Sequence, residues 1–148
     1  MFVKSFGALN MSQCPVPIRE ALEFLQPKPS PWPFVRVGGK KDGAYLVPDN
    51  LEGIVACFSP GVRNSKSFED ELLSNSGIRS HMMDRSSSPE LFLTPLVDGA
   101  QSFQKKWLAP DTNEVSLSME DWINLTEPNT SGDFLLQIDI EGAEWGIL

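Results

Sequence analysis

The sequence predicts an α/β fold with a mostly parallel sheet. Three observations carry this. The runs at 54–58 and 134–140 are apolar with little alternation, as in strands buried on both faces. A strand pattern alternates with a helix pattern between 53 and 84, the order expected of parallel units. The chain has 148 residues, enough for one domain with a substantial core.

The elements follow in order. "PVPIREALEFLQP" (15–27) reads as a short helix, with Pro17 in its first turn and Ile18, Leu22 and Leu25 on one face. Pro27, Pro29, Pro31 and Pro33 exclude regular structure, leaving a rigid connector that Trp32 and Phe34 are expected to pin to the core. "FVRVGGKKDGAYLVP" (34–48) reads as a hairpin around Gly38-Gly39 and Asp42-Gly43. "GIVACFSPGV" (53–62) is a buried strand and its turn. "NSKSFEDELLSNSG" (64–77) is a helix with Phe68 and Leu72 at i, i+4, acidic residues early and Gly77 as its stop. "IRSHMMD" (78–84) is a second strand ending on Asp84, and "RSSSPE" is a loop.

"FQKKWLAP" (103–110) fits a third strand or part of a helix, and the strand is preferred. "VSLSMEDWINL" (115–125) starts a helix at Ser118, with Asp121 three residues on as in a capping box and Trp122 and Ile123 opening an apolar face. "EPNTSGD" is a loop, and "FLLQIDI" (134–140) is the last strand. Two units are drawn: 1–36, a helix and Pro-rich connector, and 37–148, which carries the sheet.

Composition narrows the function. Lys and Arg number 12 against 20 Asp and Glu, a formal net charge of −8. A long phosphate backbone requires a positive surface, so nucleic acid is not an expected partner. No window approaches the roughly 20 apolar residues of a membrane span, so no membrane partner is expected. The N-terminus "MFVKSFGALN" lacks a sustained apolar stretch, and Cys14 and Cys57 make neither a CxxC pair nor a zinc set. These features predict a reduced, soluble, cytoplasmic domain without a metal. Oligomeric state is not legible.

Candidate chemistry gathers at strand ends, where open α/β sheets bind ligands. Gly61 in "CFSPGV" allows close backbone approach to a ligand, and the following helix start offers free N–H groups to an anion. The competing reading is a plain strand-to-helix turn. Asp84 ends the second strand, where a carboxylate can accept from ribose hydroxyls; alone it is a solvated strand end. Asp139 and Glu141 follow the last strand. They can act as a general base, orient a substrate hydroxyl or hold a cation; equally, one of them caps a following helix and Glu144 sits on its surface. His81 lies within an apolar strand and reads as a hydrogen-bonded packing residue. Lys105, Lys106 and Trp107 form either a small basic-aromatic patch or, as the preferred reading, a solvated edge. Lys40, Lys41 and Asp42 either fold over a ligand or solvate the hairpin tip. With one His and no nucleophile elbow, a hydrolase triad is disfavoured.

Taken together, "DGAYLVP", "CFSPGV…FE", "MMD", "KKWL", "SLSMEDWI" and "LLQIDIEGAEWGIL" resemble, in this order, the FkbM family of S-adenosylmethionine-dependent methyltransferases. The resemblance runs from about Val37 to the end. Its most specific element is D-x-E-G-x-E, here Asp139, Glu141, Gly142 and Glu144. It implies a Rossmann-like class I methyltransferase sheet and methyl transfer to a hydroxyl oxygen of a small-molecule or glycan acceptor. S-adenosylmethionine would meet Ser59, Gly61, Val62 and Asp84, with Asp139 and Glu141 as catalytic residues. Motif I of that class opens on an acidic residue and is richer in glycine. Here Ser59 holds the acidic position, and Arg63 and Ser65 hold positions often Asn and Gly. Glu69 matches a family-like position without an implied role.

The class order of strands is 3-2-1-4-5-7-6. The resemblance thus implies that this chain supplies strands 1 to 4 and is incomplete in the C-terminal half, leaving strand 4 as an exposed edge. Two other readings stand beside it. One is a non-catalytic fragment or interaction module. The other is a nicotinamide-dependent oxidoreductase, disfavoured because GxGxxG and a Tyr-x-x-x-Lys pair are absent.

Overall fold

A computed structural model describes residues 29–147. The helix expected over 15–27 lies outside the described residues, as does Cys14. The elements are β1 (Phe34–Val37), β2 (Tyr45–Pro48), β3 (Ile54–Pro60), α1 (Ser67–Ser76), β4 (Arg79–Met83), β5 (Gln101–Gln104), β6 (Trp107–Leu108), β7 (Ser116–Leu117), α2 (Met119–Thr126) and β8 (Asp133–Leu136). The compact unit that holds them starts at Trp32, and the boundary drawn at 36/37 falls inside β1.

The fold is mixed α/β around a four-stranded parallel sheet in the order β5-β4-β3-β8. Numbered within the sheet along the chain, this is third, second, first, fourth. The chain adds β4 and β5 on one side of β3 and then returns to its other side. The switch point therefore falls between β3 and β8. At their carboxyl ends it leaves a crevice where such sheets take ligands.

β3 is central because both of its faces are apolar, and Ala56 to Pro60 are buried. Alternation divides its side chains between two cores. Cys57 packs with Phe68 and Leu72 of α1, whereas Ala56 and Phe58 pack with Trp122 of α2. Helices thus cover both faces. Phe58, Phe68, Leu72 and Trp122 are essentially inaccessible, each burial stabilising by about 1.5–3 kcal/mol.

Most local signals hold. β1 and β2 pair antiparallel, from Phe34↔Pro48 to Val37↔Tyr45. Gly77 ends α1 in the left-handed region at φ 69°, its N–H donating to Leu73 O at 3.0 Å. Ser118 caps α2, its Oγ accepting from Asp121 N at 3.2 Å. The capping box is only half formed. Ser118 N donates to Thr112 Oγ1 at 2.9 Å, and the Thr112 hydroxyl donates to the Asp121 carboxylate. Thr112 takes the place the box would give to the acidic side chain.

Two expectations fail. Residues 103–110 are not one strand. The third strand is β5, which ends at Gln104, where Lys106 N donates back to Gln104 O at 2.9 Å and turns the chain. Trp107–Leu108 then pairs parallel with Ser116–Leu117 in a separate two-stranded sheet. Phe34, expected to help pin the connector, remains 58% exposed. β8 is an edge strand, as the resemblance implies, with Leu136 37% exposed. Its ladder ends at Leu136, but Gln137 N still donates to Phe58 O at 3.0 Å and Asp139 N to Pro60 O at 3.4 Å. Those bonds bring Asp139 to the rim of β3.

Candidate functional site

Gly61 turns the chain out of β3 at φ 89°, and its N–H donates to Met83 O at 2.8 Å. A Cβ here would lie 2.0 Å from Asp139 O and 2.9 Å from Ile140 Cγ2. The glycine does permit a close approach, but the approaching backbone is that of 139–140 rather than a ligand. Gly61 thereby sets how near the ends of β3 and β8 come.

Two residues on, Arg63 adopts φ 49°, a left-handed conformation that costs a non-glycine residue about 1–2 kcal/mol. Its N–H donates to Asp84 Oδ2 at 2.7 Å, while Asp84 Oδ1 accepts from Ser86 N at 2.7 Å and Ser86 Oγ at 2.6 Å. The buried Asp84 carboxylate therefore ties the first rim turn to the second. Of its roughly four acceptor sites, one remains free for a ligand, and the Ser86 hydroxyl can rotate to release a second.

Beyond β8, Asp139 Oδ2 accepts from the Tyr45 hydroxyl at 3.0 Å, a bond spanning 94 residues that fastens the hairpin to the rim. Burial, then the bond to Asp139, pushes the Tyr45 phenol up to about 12. Glu141 adopts φ 59° and Gly142 φ 98°. Glu144 Oε1 accepts from Ile140 N at 2.8 Å, and that bond holds the Glu144 carboxyl below its usual range. Glu144 thus stabilises the turn that presents Glu141. Arg63 and Glu141 are the two non-glycine residues with positive φ among the described residues, and both lie on one cavity.

That cavity has a volume of about 530 Å³, within the range of small-molecule sites. Its floor is the rim of β3, β4 and β8, with Gly61, Arg63, Asp84, Asp139 and Glu141. The hairpin contributes Asp42, Gly43 and Tyr45; the segment after β5 contributes Lys106 and Trp107. Four carboxylates (Asp42, Asp84, Asp139, Glu141) face two cations (Arg63, Lys106). This wall favours a ligand carrying positive charge.

The expected site residues divide. Gly61, Asp84, Asp139 and Glu141 come together on the cavity, but Ser59 and Val62 do not line it. Ser59 is still within β3 and shares the parity of Cys57, so it points under α1. There its Oγ lies 3.4 Å from Cys57 Sγ, and it bonds to the buried Glu69. Burial raises the Glu69 carboxyl, which gives that residue a structural place beneath the rim. Val62 packs with Met82 and Phe92. No residue of α1 lines the cavity, so the helix start does not offer its N–H groups there. Conversely, Tyr45, Arg63, Lys106 and Trp107 join the wall although no sequence motif marks them as site residues. Lys106 and Trp107 are not merely a solvated edge, and Asp42 belongs to the cavity.

His81 behaves as a hydrogen-bonded packing residue. Its Nδ1 lies 2.8 Å from Ser102 Oγ and its Nε2 2.8 Å from Glu127 Oε1. Glu127 also accepts from Arg79 Nε at 2.9 Å, Arg79 Nη2 at 2.8 Å and the Thr130 hydroxyl. The Arg79 bonds lead in holding its carboxyl down at about 2. Among the described residues no group of three or more His, Cys, Asp or Glu could hold a metal ion, and no helix is long and apolar enough to cross a membrane.

No family model, curated protein or solved structure matches the chain. Function must therefore be argued from the cavity.

Proposed function

We propose that the cavity is the S-adenosylmethionine site of a Rossmann-like, class I methyltransferase fold, and that the chain serves methyl transfer to a hydroxyl oxygen. One observation carries this reading: a 3-2-1-4 parallel sheet sets Asp84, after the second strand, and Asp139, after the fourth, on one cavity at the switch point. The order is the one the FkbM resemblance implies. The wall fits the donor's charge as well, since a sulfonium and an ammonium suit four carboxylates better than a phosphate-rich dinucleotide does. Asp84, Ser86 and the rim at Gly61 would hold the nucleoside, and Trp107 offers an aromatic face.

When bound, the donor supplies an already activated methyl group, so the protein's work is mainly alignment. Asp139 is the group placed to take the proton that an acceptor hydroxyl loses. Tyr45 fixes one of its oxygens and leaves the other available. Glu141 stands beside it as a second acceptor for a small-molecule or glycan hydroxyl. A cytoplasmic setting accords with this chemistry.

Thermal shift tests the reading. S-adenosylmethionine and S-adenosylhomocysteine should each raise Tm by about 5–10 °C at a hundredfold excess over Kd. NAD should not. A response to NAD alone would transfer the cavity to a nicotinamide enzyme. No response to any of the three would leave the interaction-module reading.

A further inference from the structure

We propose that Arg63 is the carboxylate-binding residue of the cavity, receiving the amino-acid end of the methyl donor; this rests on the donor reading above. Arg63 lines the cavity, and its backbone is fixed by the N–H bond to Asp84 Oδ2 at 2.7 Å and by a left-handed φ of 49°. Arg63 is the first central residue of a turn closed by Ser65 N donating to Val62 O at 3.1 Å, and its side chain, unlike that of Asn or Asp, makes no local bond that eases the left-handed backbone. Strain of this kind persists where the surroundings over-determine it, commonly at ligand sites.

The side chain is the second observation. Among the described residues its guanidinium makes no hydrogen bond or ion pair, although three carboxylates besides Asp84 share the cavity. The other cavity cation, Lys106, is turned to Asn113 O at 3.0 Å. An acid-rich wall with one uncommitted guanidinium complements a ligand that is mostly cationic and carries a single carboxylate. An S-adenosylmethionine amino-acid end has that pattern: the ammonium faces carboxylates and the carboxylate takes the fork of Arg63. A carboxylate on the acceptor would satisfy the same guanidinium, so the test separates the two sources.

The experiment compares S-adenosylmethionine with its decarboxylated form, which keeps the sulfonium and the amine. Titration calorimetry is run on the whole chain, wild type and Arg63→Gln. Arg63→Asn is a second variant, because Asn tolerates the left-handed backbone. Wild type should prefer the carboxylated donor by about tenfold or more, and both variants should lose that preference while binding the decarboxylated form within about threefold of wild type. Equal binding of the two donors, with glucuronate stabilising wild type but neither variant, would assign the carboxylate to the acceptor. Equal donors and no glucuronate difference would overturn the proposal. If neither donor binds wild type, the methyl-donor reading fails, and the Arg63 assignment stands or falls on glucuronate alone.

Discussion

Two polar regions of this domain are built on opposite rules. At the start of β4, Arg79, His81, Ser102, Glu127 and Thr130 close on one another, and Glu127 alone accepts four bonds. At the carboxyl ends of β3 and β8, Asp139 accepts one side-chain bond, Arg63 offers a guanidinium with no partner among the described residues, and two non-glycine residues hold left-handed backbones. A saturated network spends its hydrogen-bonding capacity on the fold. An unsaturated, strained rim keeps capacity for something outside the chain. Substitutions should therefore cost stability in the first region and binding in the second.

Gly61→Ala should break that division most severely, because the rim turn is also a packing contact. The added Cβ meets Asp139 O, and the backbone is left-handed. A loss of about 3–5 kcal/mol in urea denaturation is expected, together with donor binding. An unchanged midpoint would mean that the two strand ends are not in contact. Asp139→Asn should instead be silent in denaturation and lower methyl transfer by about 10²–10⁴-fold. Retained activity with an unchanged pH profile would remove Asp139 as the proton acceptor.

Glu127→Gln should cost stability and leave donor affinity unchanged. The Glu127 pKa falls from 4.5 to about 2 in the folded state. Its contribution, at most about 3 kcal/mol, is thus full above pH 4.5 and lost as pH falls through about 2. Wild type should lose stability across that window, while the Gln variant, lower at neutral pH, should show a flatter curve. Parallel curves would deny Glu127 its part in the network. Tyr45→Phe should cost folding only about 1 kcal/mol. The raised Tyr45 pKa gives stability that is full below pH 10 and lost as pH rises through about 12, so the Phe variant should flatten the alkaline limb.

Sequence periodicity exposed the saturated parts more readily than the rim. Continuous apolar runs marked β3 and β4, and Ser118 and Gly77 marked helix ends, because these signals are local. Asp84 and Asp139 were legible because a strand end is a place the sequence can fix. Ser59 was misplaced by strand length: β3 runs on to Pro60, so alternation still governs residue 59 and turns it under α1. Tyr45 meets Asp139 across 94 residues, and Lys106 and Trp107 reach the cavity only because a tight turn breaks the strand at Gln104. The left-handed backbone at Arg63 lies in the turn that Ser65 N closes on Val62 O, and its N–H is tied to Asp84, against the preference of arginine itself. None of these leaves a periodic trace.

The proposed function places the methyl donor at the rim between β3 and β8. Amide chemical shifts recorded while S-adenosylhomocysteine is titrated into the whole chain test it most directly. The expected result is a saturable set of changes centred on Gly61, Arg63, Asp84, Trp107 and Asp139, with the Arg79–Glu127 network still. No saturable change, or changes centred on that network, would contradict it.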